Sequence, residues 1–250
     1  MTLKQKTMFD TLVIIPTYNE KENIENIIKA VFSQEKEGFK AAILVVDDNS
    51  PDGTAAIVIN LQKEFPNRLF IENRAEKSGL GAAYIHGFKW AIAKEYAYIM
   101  EMDADFSHDP KDLIRLYNAC AKNGFDVAVG SRYKNGKISV VNWDFKRIIL
   151  SYYASRYVKF ITRIPVDDTT AGFMCYKREV LEKIKLDAIH FVGYAFQIEM
   201  KFKAWKHGFK IKEVPVIFTD RVLGKSKMDS SIIGEAVFGV LKMTLKGLSK

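Results

Sequence analysis

The feature that most limits what this chain can fold into is an alternation running from residue 11 to residue 102. Short apolar runs trade places with segments of helical spacing, and three of the runs end in strings of turn formers and carboxylates. Thr11–Pro16 reads as a buried strand that its proline stops. Glu20–Phe32 places Ile24, Ile27, Ile28 and Val31 at helical intervals. Ala41–Val46 is a second buried strand and runs into Asp47-Asp48-Asn49-Ser50-Pro51-Asp52-Gly53, strong turn chemistry. Thr54–Phe65 reads as helix, Arg68–Glu72 as strand, Gly79–Ala93 as helix, and Tyr96–Met102 as a strand leading into Asp103-Ala104-Asp105. Strands alternating with helices of about a dozen residues predict an α/β chain with a mostly parallel sheet and helices on both faces. Ligands of such sheets bind beyond the carboxyl ends of the strands, which is where the polar strings fall.

The remainder is less regular. Pro110–Lys122 is predicted helical, Val127–Gly130 a strand, and Ile211–Phe218 an alternating strand. Phe145–Ile161 carries a one-faced stripe at 145, 148, 149, 152, 153, 157, 160 and 161, with Lys146, Arg147, Arg156 and Lys159 elsewhere. Ile232–Leu248 is a second amphipathic helix, ending in the basic row Lys242, Lys246 and Lys250. A length of 250 residues suits one domain, taken here as 1–228, followed by a C-terminal amphipathic helix at 229–250. Two cysteines exclude a disulfide framework and fit a reducing compartment. No apolar run approaches the roughly 18 residues of a membrane span, and no apolar h-region precedes Asp10, so neither a transmembrane helix nor a signal peptide is expected. The net charge of +8 is uneven: residues 1–132 sum to −3 and residues 133–250 to +11. The aromatics follow helical periodicity without a nucleic-acid signature, which leaves a membrane surface or an anionic substrate as partner of the basic half.

The carboxylates offer the clearest chemistry. Asp103 and Asp105, one residue apart at a strand end, can turn toward one cation where the backbone bends. Oxygen ligands of this kind suit Mg²⁺ or Mn²⁺ shared with substrate phosphates, although aspartates also end strands and cap helices with no such role. Asp48 can accept hydrogen bonds from a ribose or a base edge, or simply shape the turn. Lys77-Ser78-Gly79-Leu80-Gly81 before a helix could offer backbone N–H groups to phosphate. Ser107 and His108 are adjacent, which is not how a nucleophile and its base are arranged, and His86, His190 and His207 have no ligand spacing.

In combination these strings are far more specific. Pro16-Thr17-Tyr18-Asn19-Glu20, Val46–Thr54, Met102–His108, Gly130-Ser131-Arg132-Tyr133, Asp168–Phe173 and Arg221–Lys227 follow one another in that order. The chain thereby resembles the family 2 glycosyltransferases of GT-A fold, and among them the polyprenyl-phosphate mannose synthases, over about residues 10 to 230. The resemblance implies a single-domain, Rossmann-like fold, GDP-mannose as donor, and a polyprenyl (dolichyl) phosphate as acceptor. It also implies that Pro16, Tyr18 and Glu20 line the base pocket, with Val46 and Asp48 near base and ribose. Asp103 and Asp105 would hold Mg²⁺ or Mn²⁺ against the diphosphate beside Ala104, with Ser107 as a weaker ligand where some relatives carry Gln. Arg132, Arg221 and Lys227 would contact phosphates, Gln197 the donor, and Asp168 would align the acceptor-side arginines.

A phosphate monoester has a second pKa near 6, so such an acceptor is already an anionic nucleophile at neutral pH and needs cations more than a general base. The expected reaction is one in-line displacement with inversion, its leaving diphosphate neutralised by metal, Arg and Lys. A polyprenyl chain stays in the bilayer at about 0.8 kcal/mol per buried CH₂, so the protein is expected on the cytoplasmic face. It would be peripheral there, or held by a membrane-anchoring partner protein. The helices at 145–161 and 232–248 would lie in the interface or pack on the core. Rival readings are UDP-glucose on the same lipid phosphate, a nucleotidyltransferase, and a non-catalytic membrane-surface scaffold, which would need no D-x-D.

Overall fold

The computed structural model describes residues 9–134, 136–193, 195–220 and 239–244. The alternation folds as expected: β1 (Thr11–Thr17), α1 (Ile24–Ser33), β2 (Ala42–Asp47), α2 (Thr54–Leu61), β3 (Leu69–Asn73), α3 (Leu80–Ala93) and β4 (Tyr98–Glu101). There follow α4 (Leu113–Ala121), β5 (Val127–Ser131), β6 (Val140–Val141), α5 (Phe145–Thr162), β7 (Met174–Lys177), α6 (Arg178–Ile184), α7 (Phe196–Lys206), β8 (Ile211–Pro215) and β9 (Phe218–Thr219). Seven strands form one sheet in the order β3-β2-β1-β4-β7-β5-β8, and β6 pairs with β9 in a separate ribbon. All pairings of the large sheet are parallel except those of β7, which runs antiparallel to β4 and β5.

Both faces of the sheet are covered, as the continuous apolar runs require. Leu12 and Ile14 of β1 join a core cluster with residues of α3, α6 and α7. Val13 and Ile15 point the other way, into a cluster with α1, α2 and α4. All four are fully buried, each worth about 1.5–3 kcal/mol relative to exposure. The chain moves outward from β1 through β2 to β3 and then returns to the other side of β1 as β4. The crevice beyond the carboxyl ends of β1 and β4 is therefore the switch point of the sheet.

Some boundaries differ from expectation. Residues 20–23 form a turn instead of the first helical turn, because the N–H groups of Glu20 and Lys21 donate to Thr54 Oγ1 and Asp52 Oδ2. The predicted strand 211–218 is two short strands in different sheets: Pro215 ends β8 beside Ser131, and Phe218 pairs with Val140. The expected C-terminal helix lies mostly outside the described residues. Its helical piece at 239–244 packs Val240 against Val158 of α5 and Ile198 of α7.

Close approach of α3 to β1 depends on Gly87, where a Cβ would stand 2.8 Å from Ile14 Cγ2. That contact holds Tyr84, one turn back, under the end of β4. Gly87→Val should lower stability by about 1–3 kcal/mol through overpacking. Urea unfolding checks this, and an unchanged midpoint would contradict the packing described.

Candidate functional site

At the β1–β2 corner two adjacent carboxylates divide their work. Asp47 is the turn former: Oδ1 accepts from the hydroxyls of Thr17 (2.7 Å) and Ser50 (2.7 Å), and Oδ2 from Ser50 N–H (2.8 Å). Asp48 instead accepts from Arg74 Nη1 at 2.8 Å, an arginine just past β3. Burial raises the Asp48 carboxyl above its ordinary value, with Arg74 opposing. Asn19 and Asn49 adopt left-handed backbone (φ 57° each) and bend the two strand ends outward. Pro16, Tyr18 and Glu20 are half-buried on this rim, and Lys77 Nζ lies 4.4 Å from the Tyr18 ring centroid. Val46 is fully buried in the core, so only its backbone borders the rim. The turn 77–81 is no phosphate cradle: Ser78 N–H goes to Asp48, and Gly81 N–H to Val192 O at 2.8 Å.

The D-x-D lies one strand across, on the other lip of the switch point. Asp103 is half-buried, and its Oδ1 accepts from the Tyr84 hydroxyl at 3.4 Å. Its backbone N–H donates to His108 Nδ1 at 3.2 Å, so that nitrogen is unprotonated. Burial lowers the His108 pKa, against the pull of Asp103 and Asp105. His108 stacks on Phe173 at 4.6 Å and is thus a support for the loop, not a partner of Ser107. Asp105 is buried, with Oδ1 accepting from Ser107 N–H at 3.0 Å, while Phe106 takes a positive φ of 61° that turns the chain back. Ala104 and Ser107 are buried beside it. Among the described residues no group of three or more His, Cys, Asp or Glu could hold a metal. The donor set is therefore two hard carboxylates, which fits Mg²⁺ or Mn²⁺ completing its shell with ligand oxygens.

A buried ion pair forms the third part. Asp168 Oδ2 accepts from Arg132 N (2.9 Å) and Nε (2.7 Å), and Oδ1 from Nη2 (2.6 Å), which also donates to Thr170 Oγ1 (2.8 Å). Burial works to raise the Asp168 pKa, but the charge and hydrogen bonds of Arg132 outweigh it and hold the carboxyl below its ordinary value. Tyr133, Trp143 and Phe218 surround the guanidinium at 5.1–5.5 Å. Arg221 and Lys227 lie outside the described residues.

Gln197 is buried at the start of α7 and donates to Glu101 Oε2, directly beneath the D-x-D strand end. Its neighbours are residues that motif reading missed. Burial raises the Glu101 carboxyl above its ordinary value, with Gln197 and Lys201 opposing. Burial likewise brings Lys201 down to about 8. Glu213 Oε1 gathers Ser131 Oγ and the N–H groups of Asp167 and Asp168 at 2.8–3.0 Å. Charged residues inside apolar strands and helices were the available signal, in Tyr98–Met102, Phe196–Trp205 and Ile211–Pro215.

Residues 12–185 match the family model described as Glycosyl transferase family 2. The chain is 46% identical to the polyprenol monophosphomannose synthase of Mycolicibacterium smegmatis, covering 95% of this chain and 88% of that one. It is 40% identical to the undecaprenyl-phosphate mannosyltransferase of Micrococcus luteus, covering 94% and 93%. Among solved structures, it resembles glucosyl-3-phosphoglycerate synthase from Mycobacterium tuberculosis in complex with Mn²⁺, UDP and glucosyl-3-phosphoglycerate, at TM-score 0.67, 16% identity and coverage of 97% and 81%. It also resembles a mannosyltransferase from Pyrobaculum calidifontis in complex with GDP-Man and Mn²⁺, at TM-score 0.60, 19% identity and coverage of 96% and 74%.

Asp168→Asn, which leaves a buried guanidinium without its counter-charge, should cost about 3–5 kcal/mol at neutral pH. The folded pKa of Asp168 is depressed, so its contribution is complete above the unfolded value of about 3.9 and is lost as pH falls through the folded value. The stability gap between wild type and variant should hold from pH 7 to pH 5 and close below about 4. Denaturant unfolding across that range tests it, and a gap that widens in acid would refute the assignment.

Proposed function

This chain belongs to glycosyl transferase family 2 and has the GT-A fold, and from that premise we propose that it transfers mannose from GDP-mannose to a polyprenyl (dolichyl) phosphate with inversion. The observation that carries the acceptor and the sugar is near-full-length identity of 46% and 40% to two proteins named for mannosyl transfer to polyprenyl phosphates. GDP-mannose as donor is the finer step, supported by the occupied relative from P. calidifontis only at the level of fold.

On this reading Pro16, Tyr18, Glu20 and Asp48 receive base and ribose at the β1–β2 corner. Asp103 and Asp105 would hold a Mg²⁺ or Mn²⁺ ion, which when bound supplies positive charge to the departing diphosphate. Tyr84 and His108 fix Asp103 from its carboxylate and its backbone, so the carboxylate need not reorganise when the donor binds. Asp168 holds Arg132 in one orientation, and Arg132, Arg221 and Lys227 would be the phosphate contacts of donor or acceptor. The acceptor phosphate arrives ionised, so no side chain has to remove a proton.

Helix α5 supports the lipid part of the reading. Its buried residues are Ser151, Ser155, Val158 and Thr162, whereas Phe145, Tyr153 and Phe160 of the aromatic stripe are 73%, 65% and 81% exposed. Ile149 and Leu150 of the same helix are exposed too, as are Ile138, Val141 and Ile217 elsewhere, and Lys146 and Arg156 are exposed among the apolar residues of the helix. Large apolar side chains exposed along one helix mark a contact surface. A face of this composition lies in a headgroup layer as a monotopic helix does. No helix among the described residues is long and apolar enough to cross a membrane.

The deciding assay incubates the protein with polyprenyl phosphate and radiolabelled GDP-mannose or UDP-glucose. Mannosyl lipid is expected; glucosyl lipid alone, from UDP-glucose, would sink the choice of donor. Asp105→Ala should lower transfer at least about a hundredfold with unfolding unchanged, and activity at the wild-type level would refute the metal assignment. Exchanging Phe160 and Tyr153 for Ser should weaken sedimentation with anionic vesicles by about tenfold or more; undiminished binding would place the lipid contact elsewhere.

A further inference from the structure

The charged cluster behind the D-x-D strand is used by none of the steps above. Lys201 of α7 is fully buried, and its Nζ donates to the carbonyls of Ala171 (2.5 Å) and of Gln197, one turn back (3.1 Å). Ala171 belongs to the turn that carries Asp168 and Thr170, the two side chains that grip Arg132. Glu101, itself fully buried and tied to Gln197 Nε2, acts on Lys201 as an anionic group. Asp168 and Glu213 act on Lys201 as further anionic groups and Arg132 as a cationic one. A buried ammonium is costly unless paired, and an apolar residue would fill this place more cheaply if packing were its only task.

Building on the reading of a phosphate acceptor, we propose that Lys201 is a positioning residue: its ammonium fixes the Ala171 carbonyl and so sets the Asp168–Thr170 turn that orients Arg132, with Glu101 as its counter-charge. Lys201 touches no substrate in this assignment. It acts through Ala171, Asp168 and Arg132, on the acceptor side, and leaves the β1–β2 nucleotide corner untouched.

Lys201→Met alone strands Glu101 as an unpaired buried carboxylate, which confounds folding with function. The informative comparison is Glu101→Gln against the double variant Glu101→Gln/Lys201→Met, in which the pair is removed together and the core is neutral. Relative to Glu101→Gln, which leaves the buried ammonium without its counter-charge, the double variant should melt no lower and show a KM for polyprenyl phosphate in detergent raised about tenfold, with the Kd for GDP-mannose and Mn²⁺ within about twofold. Amide exchange in 168–173 should accelerate by about tenfold while β1 and β2 keep their protection. Equal acceptor KM and equal exchange in the two variants would overturn the proposal. So would a nucleotide Kd that rises in step with the acceptor KM, or a double variant that does not fold, since either makes Lys201 a general support of the core. If wild type transfers no mannose to the lipid, the proposed function fails. The exchange comparison then judges Lys201 alone: faster exchange supports the hold on Ala171, and unchanged exchange removes it.

Discussion

The carboxylate of Asp168, fully buried and gripped by Arg132, is the interaction on which the arrangement of the site rests. A guanidinium enters a dry interior only where its donors are met, and here Asp168 and Thr170 meet them from a single turn. That turn is itself held from beneath, because Glu213 of β8 accepts the N–H groups of Asp167 and Asp168 together with the Ser131 hydroxyl. Three segments far apart in sequence are thus locked at one point: the end of β5, the approach to β7, and β8. Replacing either Asp168 or Glu213 would leave several buried donors unmet at once.

Much of this was legible in advance. The period-switching pattern between residues 11 and 102 fixed four strands and three helices, and the polar strings at their ends marked the rim where Asp48, Asp103 and Asp105 stand. Hydrophobic periodicity reads burial, and these elements are buried. Where it failed, side-chain hydrogen bonding had overridden it. Glu20–Asn23 have the composition of a first helical turn, but Thr54 and Asp52 take their N–H groups. The alternation of 211–218 is continuous in sequence, yet the bond from Val216 N–H to Ser131 O is the last one to β5, and the chain crosses to pair Phe218 with Val140. Asp47 and Asp48 are identical in type and adjacent, and only tertiary partners assign one to the turn and the other to Arg74.

The charged residues inside the core were the larger omission. Glu101, Lys201 and Glu213 belong to no recognisable motif; Glu101 and Lys201 each stand between two apolar residues, and all three are buried. Motif reading asks which side chains could touch a ligand. These three touch the groups that do, and such partners become visible only when the turn 168–172 is seen lying between α7, β4 and β8.

Helix α5 joins these observations. Half of the stripe, Phe145, Ile149, Tyr153 and Phe160, points outward, while Ser151, Ser155, Val158 and Thr162 point in and Tyr157 and Ile161 pack partly against the core. Small polar residues let the helix approach closely and supply bonds: Ser151 accepts from the Tyr133 hydroxyl at 2.8 Å, and Ser155 lies 3.4 Å from Thr170 Oγ1. Lys159 adds an ion pair to Asp167 at 2.6 Å. The outward apolar face is therefore fastened through its back to the same turn that orients Arg132. A headgroup layer in contact with that stripe would bring lipid phosphates beside the cationic clamp, while the D-x-D and the β1–β2 corner open on the switch point of the sheet. Thr170 is the link between the two: its hydroxyl accepts from Arg132 on one side and lies 3.4 Å from Ser155 of α5 on the other, so the orientation of the guanidinium and the placement of the helix depend on one side chain.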